Sequence, residues 1–444
     1  GLGKGGRGYF ALDLTGLTPA IADMPASESA LGNRVMWEYP DAATPSGEMN
    51  DLGYSFSRVS VVKSNASGHN AIVIFGNGYN SANGNAVLFI LDPATGDLLK
   101  RIDTGVSDCN GLSTPVAVDV DNDERVDYVY AGDLKGNLWK FDLTSPDHTL
   151  WDVAYKDFGT PKPLFQTNNQ PITTKPSVMY HCEKNGYLVA FGTGRYLGLQ
   201  DLADVSTQAV YGIWDYGDDE DDTEYVGAFN GSGITGTYLP STVSLLQQIV
   251  VDERTAFGEV WRTQSAGQPD WQSTTLEGGS CGLNAGEDDC DPNDIPSVEP
   301  GPDPVRNAGW YFNLPESGER VVSDVRVRAG RLTVISYVAS ASTCGLSGHS
   351  WVAVLDPCTG GRLTEAYFDL NEDGKVDFQD LIDIGQPDKA APTAFKIDGK
   401  VEMPTYLIDG DTEIMYLPNI DTTMDEKRGA APSQEMTHWR VLRK

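Results

Sequence analysis

The sequence predicts an all-β fold of the β-propeller type, on three observations. Short β-branched and aromatic runs recur along the chain, each bounded by Gly, Asn, Asp or Pro. A hairpin whose strand stops at an aspartate turn returns every ~40 to 80 residues, as blades with insertions would. Helical patterning is nearly absent, with Gln379–Ile384 the clearest short helical stretch. A pair of β-sandwiches is the alternative, but sandwich strands need no repeated aspartate stop.

The elements follow in chain order. The first strand is expected at Gly8–Leu14, followed by Val59–Val62, Ala71–Phe75, Tyr128–Ala131, Tyr187–Phe191 and Arg331–Val338. The repeat is carried by Phe10-Ala-Leu-Asp13, Phe89-Ile-Leu-Asp92, Trp139-Lys-Phe-Asp142 and Val354-Leu-Asp356, with a weaker copy at Tyr211-Gly-Ile-Trp-Asp215. In each, the aspartate can accept from its own turn backbone, and a following Gly supplies positive φ. Strands ending in Gly precede several copies: Phe75-Gly76, Ala131-Gly132 and Phe191-Gly192. Seven blades would need about 63 residues each, long enough to require insertions. The whole chain, 1–444, is therefore expected to be one propeller domain, with insertions at about 215–225, 277–304 and 366–390. The first is an acidic turn from Asp215 to Glu224, the second a Gly-, Asp- and Pro-rich loop. Trp139, Trp214 and Trp351 fall on repeat strands, where blade packing needs them.

Thirty-two basic against 64 acidic residues give a formal charge of −32. Such a surface repels phosphate backbones, so nucleic acid is excluded as a partner. It fits a secreted protein or a binder of divalent cations. No apolar run approaches the ~18 residues of a membrane-spanning helix. The chain begins at Gly1 without an initiator Met or signal peptide, as expected of a processed product or a fragment. Six cysteines suit disulfides in an oxidising compartment, and the short spacings favour Cys281–Cys290 and Cys344–Cys358.

The strongest chemical motif is Asp369 to Asp380. Oxygen side chains fall at positions 1, 3, 5, 9 and 12: Asp369, Asn371, Asp373, Asp377 and Asp380. Gly374 stands at position 6 for the sharp turn, and Lys375 at position 7 offers its carbonyl. Calcium takes 6–8 hard oxygen ligands, and this EF-hand-type spacing wraps them round one point. Aspartate where EF-hands prefer a bidentate Glu makes it the dockerin-like form. A second, shorter calcium loop runs from Asp119 to Asp127. Asp119, Asp121, Asp123 and Asp127 occupy positions 1, 3, 5 and 9, and Arg125 offers its carbonyl at position 7. Position 6 is not Gly, and there is no twelfth ligand. Four carboxylates this close repel one another without a cation. Both loops name Ca2+ as the cofactor.

Catalytic signals are poor. The five histidines form no metal pair and accompany no nucleophile motif. Gly192-Thr-Gly-Arg-Tyr-Leu-Gly198 lacks the spacing and helix of a dinucleotide loop. The chain reads as non-enzymatic.

Several segments together resemble one family. They are Phe75-Gly-Asn-Gly-Tyr79, the Asp119–Asp127 loop running into Tyr130–Leu143, Phe191–Leu197, Gly309–Pro315, Gly318–Asp324 and His438-Trp-Arg440. In this order they are similar to the C-terminal propeller of the PilY family of type IV pilus tip proteins. The resemblance implies a modified seven-bladed, quinoprotein-like propeller, exported to the extracellular pilus tip. It implies roles in pilus assembly, retraction control and surface adhesion, with minor pilins and a host or abiotic surface as partners. The family's regulatory calcium loop maps onto Asp119, Asp121, Asp123, Arg125 and Asp127. The family's N-terminal region has no counterpart here, and the Asp369 loop looks peculiar to this chain. A quinoprotein-like oxidoreductase and an extracellular carbohydrate-binding scaffold are the alternatives. Bound-quinone absorbance would favour the first. Glycan binding without pilins would favour the second.

Overall fold

The computed structural model describes residues 1–15, 32, 34–215, 225–231, 233–235, 243–271, 306–340, 348–385, 389–419 and 425–431. Its body is four antiparallel meanders of four strands. The first blade holds Ser60–Ser64, Ala71–Gly76, Val87–Leu91 and Leu98–Asp103. The second holds Val116–Val118, Tyr128–Gly132, Asn137–Asp142 and Asp152–Val153. The third holds Ser177–Tyr180, Tyr187–Gly192, Ala209–Asp215 and Arg306–Asn313. The fourth holds Arg326–Arg328, Arg331–Ala339, Gly348–Leu355 and Ala394–Asp398. An N-terminal hairpin, Tyr9–Leu12 with Val35–Tyr39, and a terminal sheet of Thr405–Asp409, Thr412–Leu417 and Asp425–Ala430 complete the series.

The period of two along a strand explains how these sheets stack. In the first blade Ile72, Ile74, Leu88 and Ile90 pack towards Val129, Ala131, Trp139 and Phe141 of the second. The intervening Val73, Phe75, Phe89 and Leu91 pack towards Tyr9 and Tyr39 of the N-terminal hairpin. The second blade's other face, with Tyr130 and Leu138, meets Val189, Phe191, Tyr211 and Ile213 of the third. Leu188, Val210 and Trp214 then meet Leu332, Val334 and Trp351 of the fourth. Val352 and Val354 meet Met415 and Leu417 of the terminal sheet. Each central sheet is buried on both faces, so its strands read as continuous apolar runs. Six sheets stack in this way among the described residues. Trp139, Trp214 and Trp351 are buried in these interfaces, as anticipated.

The aspartate stops work as the sequence indicated. The carboxylates of Asp13, Asp92, Asp142 and Asp356 accept from the backbone N–H groups of Thr15, Ala94, Thr144 and Cys358, at 2.7–2.8 Å. Asp215 departs from the pattern. It does not open an exposed acidic turn; it ends a strand, buried, and pairs with Lys140 at 2.9 Å. The hydroxyls of Tyr130 and Tyr155 also donate to it. Burial works to raise its pKa, but Lys140 and the two hydroxyls hold it below the usual carboxylate range. The rest of that expected turn, 216–224, lies outside the described residues.

The largest unanticipated feature is a belt. Its described residues, 225–231, 233–235 and 243–271, fall between the third and fourth strands of the third blade. Gly227–Phe229 pairs in parallel with Phe165–Gln166, which itself pairs with Asn137–Leu138 of the second blade. Val243–Gln248 lies parallel to Arg306–Asn313 of the third. Glu259–Gln264, paired with Val250–Ala256, adds to Ala394–Asp398 of the fourth. One excursion thus extends three neighbouring sheets. Arg262 anchors it: its guanidinium bonds both oxygens of buried Glu319, reaches Glu316, and lies 3.5 Å from the Trp351 ring centroid. Burial opposes the Glu316 charge, but His349, Trp351 and Arg262 pull its pKa down to about 2.

Two further expectations are corrected. Cys358 pairs with Cys182, 176 residues away, and not with Cys344. Packing of the third blade against the fourth brings their turns together, which sequence proximity could not reveal. Cys344, Cys281 and Cys290 lie outside the described residues, and Cys109 is a free, exposed thiol. Gln379–Ile384 is not a helix. A single 3-10 turn, Phe378–Asp380, leads into Ile382–Asp383, which pairs with Lys389–Ala390. Asp377 and Asp380 cap the start of this turn reciprocally, and the extended backbone of Leu381 ends it.

Candidate functional site

Two acidic loops were singled out from the sequence, and they share one backbone. In 119–127 the Asp119 carboxylate accepts from the N–H of Glu124, five residues on, at 2.8 Å. In 369–380 Asp369 accepts from Gly374, also five residues on, at 3.0 Å. The position-3 oxygen accepts from position 5 in both, Asp121 from Asp123 and Asn371 from Asp373, each at 3.0 Å. Position 5 accepts from position 7, Asp123 from Arg125 at 2.8 Å and Asp373 from Lys375 at 2.9 Å. Positions 4 and 6 are left-handed in both: Asn122 and Glu124 at φ 65° and 71°, Glu372 and Gly374 at 59° and 85°. The missing Gly at position 6 did not prevent the turn.

The 119–127 loop joins the first two strands of the second blade and leans on the first blade. Arg125–Val126 pairs in parallel with Lys63–Ser64. Asn65 donates from Nδ2 to the Val126 carbonyl and to Asp127 Oδ1. Lys63 pairs with Glu124. Asp119, Asp121 and Asp127 each bring a carboxylate oxygen within 4.8 Å of the others, the one acidic trio of this kind among the described residues. Asp123 is not in the trio; its Oδ2 lies 3.4 Å from Arg125 Nε. Asp127 is buried, and burial first, then repulsion from Asp121 and Asp119, raises its pKa against the hydrogen bonds from Val120 and Asn65. Clustered anionic oxygens that repel one another at this spacing suit a hard cation.

The 369–380 loop interrupts the fourth blade between its third and fourth strands. Asp369 and Asp380 are buried, Asp377 is half-buried and Asp373 is exposed. Asp380 accepts from the N–H groups of Leu370, Asn371 and Asp377. Asp377 Oδ1 accepts from Gln379. Lys375 lies on the exposed rim of the loop.

One cleft of about 710 Å³ is lined by Tyr54, Phe56, Tyr79, Asp108, Cys109 and Arg195. No sequence motif pointed to it, because its walls come from loops of separate blades. Nor did spacing identify Asn65, which acts on the 119–127 loop from the neighbouring blade. No helix among the described residues is long and apolar enough to cross a membrane.

The chain matches known proteins along most of its length. Residues 1–254 match the PilY1 beta-propeller domain model. The type IV pilus biogenesis factor PilY1 of Pseudomonas aeruginosa is 32% identical over 410 residues, covering 85% of this chain and 31% of that protein. A PilY1 homolog of Xylella fastidiosa is 32% identical over 384 residues, covering 81% of this chain and 21% of the relative. The chain thus spans a third or less of these curated relatives. The crystal structure of the P. aeruginosa PilY1 C-terminal domain superposes with a TM-score of 0.69 at 25% identity, covering 97% of this chain and 79% of that one.

Proposed function

The chain belongs to the PilY1 β-propeller family, and from that premise we propose that it is the propeller portion of a type IV pilus biogenesis factor controlled by calcium at residues 119–127. The observation that carries the calcium assignment is the trio Asp119, Asp121 and Asp127, gathered where the second blade leans on the first. Calcium there would neutralise the trio and tighten the parallel pairing of Arg125–Val126 with Lys63–Ser64. The blade seam would then be firm with the ion and looser without it. Asp123 and the Arg125 carbonyl complete the proposed ligand set, with Asp123 exchanging its Arg125 contact for the ion.

The reading extends to a non-enzymatic, extracellular role at the pilus tip, in assembly, retraction control and surface adhesion, with minor pilins as partners. The names of the relatives support the pilus role. The disulfide Cys182–Cys358 suits an oxidising location. The modified seven-bladed plan, covering 1–444 as one domain, belongs to the same proposal.

The test is complementation. Full-length protein carrying Asp119→Ala and Asp121→Ala replaces the natural copy in its own bacterium, and piliation, twitching and recovery with minor pilins are compared with wild type. Loss of calcium binding together with altered piliation or twitching is expected. Wild-type pili, twitching and pilin recovery in a variant that no longer binds calcium at this loop would overturn the calcium control.

A further inference from the structure

We propose that residues 369–380 form a second divalent-cation site, of calcium type, which clamps the terminal sheet to the fourth blade. This stands apart from the reading of the 119–127 loop.

The starting observation is one oxygen. Asp369 is only 2% exposed. Its Oδ2 accepts from Gly374 N–H, which fixes the carboxyl towards the centre of the loop. Its Oδ1 is buried and has no hydrogen-bond partner among the described residues. A buried carboxylate oxygen without a partner is costly, and such a group is expected to meet a donor or a cation. No donor is supplied: the nearby backbone N–H groups are committed to Asn371, Asp373, Asp377, Asp380 and the other Asp369 oxygen. The Asn371 amide donates to Asp373 Oδ2 at 3.4 Å, and as cation ligands the groups round the loop, Asn371, Asp373, Asp377, Asp380 and the Lys375 carbonyl, all present oxygen. Hard oxygen donors at this spacing select calcium over softer metals.

What such an ion would hold follows from the chain on either side. Asp369 donates its backbone N–H to the Arg428 carbonyl, and Ala430 donates to the Tyr367 carbonyl. Phe368 bridges Gly429. Leu370, just inside the loop's start, and Ile382, just past its end, share a core with Met415 and Leu417. The loop is therefore the frame on which the strand Asp425–Ala430 rests. Fixing Asp369 fixes the backbone that receives it.

The experiment uses the whole chain stripped with chelator and titrated with CaCl2 by calorimetry, for wild type, Asp373→Ala and Asp121→Ala. Asp373 is exposed, so its loss leaves the core intact; Asp377→Asn serves as a second variant. Hydrogen exchange is followed at 405–417 and 425–431. Wild type and Asp121→Ala should bind calcium at this loop, and at about 100 times Kd exchange of those strands should slow by up to about 100-fold. Asp373→Ala and Asp377→Asn should lose that binding and that protection, while metal-free exchange in the first two blades stays as in wild type. Wild-type stoichiometry in both variants, or calcium binding that leaves exchange at 405–431 unchanged, would overturn the proposal. Loss of the 119–127 site alone would leave it standing.

Discussion

The loops at 119–127 and 369–380 have the same turn geometry and opposite anchorage. The first is held from outside: Asn65, Lys63 and the strand Lys63–Ser64 of the neighbouring blade grip it. The second is held from inside, by Asp380 collecting three of the loop's own N–H groups. The first gathers a repelling carboxylate trio, whereas the second leaves one buried oxygen unsatisfied. An acidic loop can therefore be ready for a cation in two ways, by accumulated charge or by an unfilled coordination position. Only the charge is visible in composition.

The largest effect separates the anchorages. Asp380→Ala leaves three N–H groups without their acceptor in a buried setting, and should cost about 3 kcal/mol or more even without calcium. Asp127→Ala removes a buried acceptor too, but also removes repulsion with Asp119 and Asp121. It should cost about 1–2 kcal/mol. Urea unfolding in chelator measures both, and equal costs would erase the contrast. Next comes the ion itself. At about 100 times Kd each filled site should add about 2.7 kcal/mol, so Asp121→Ala and Asp373→Ala should each remove one such increment and together remove both. A calcium increment that survives the double variant would place binding elsewhere.

A smaller effect depends on pH and concerns the first loop. Because Asp127 is pushed above the ordinary aspartate range of about 4, the folded chain holds that proton more tightly than the unfolded chain. The Asp127 contribution to metal-free stability should be fully present below that range and be lost as pH rises through the raised value. Calcium displaces the proton, so its affinity at 119–127 should increase over the same interval. Melting temperature against pH, in chelator and in calcium, reads both slopes. Asp127→Asn should flatten the metal-free decline, and an unchanged slope would assign it to other groups.

Legibility in the sequence followed the range of the interactions. Strands buried on both faces announced themselves as apolar runs, because neighbouring residues such as Ile74 and Phe75 each enter a different core. Aspartate stops were legible because Asp92 and Asp356 bond the turn that follows them. The spacing of both acidic loops was legible for the same reason. What stayed hidden depends on distant partners. Asp215 resembled part of an acidic turn because Lys140, Tyr130 and Tyr155 are far off in sequence. Cys182 finds Cys358 only through blade packing. The belt at 225–271 has strand-like residues but no local sign that it serves three sheets. Asp123 counted as a ligand by spacing, yet Arg125 beside it competes for its oxygen.

The finest contrast lies at position 6. Gly374 adopts φ 85° with nothing within 4 Å of where a Cβ would stand, so only backbone strain opposes a side chain there. Gly374→Ala should cost about 1 kcal/mol in chelator. Glu124 adopts φ 71° with a side chain in place and bears that strain already. Its exposed pairing with Lys63 offsets little. In a Lys63→Ala background, where the ion pair is gone, Glu124→Gly should therefore stabilise the chain by about 0.5–1 kcal/mol. If the two substitutions shift urea midpoints in the same direction, the loops do not share a strained position 6. The grip of the first blade on 119–127, which lets a glutamate stand where the other loop has glycine, would then need a different explanation.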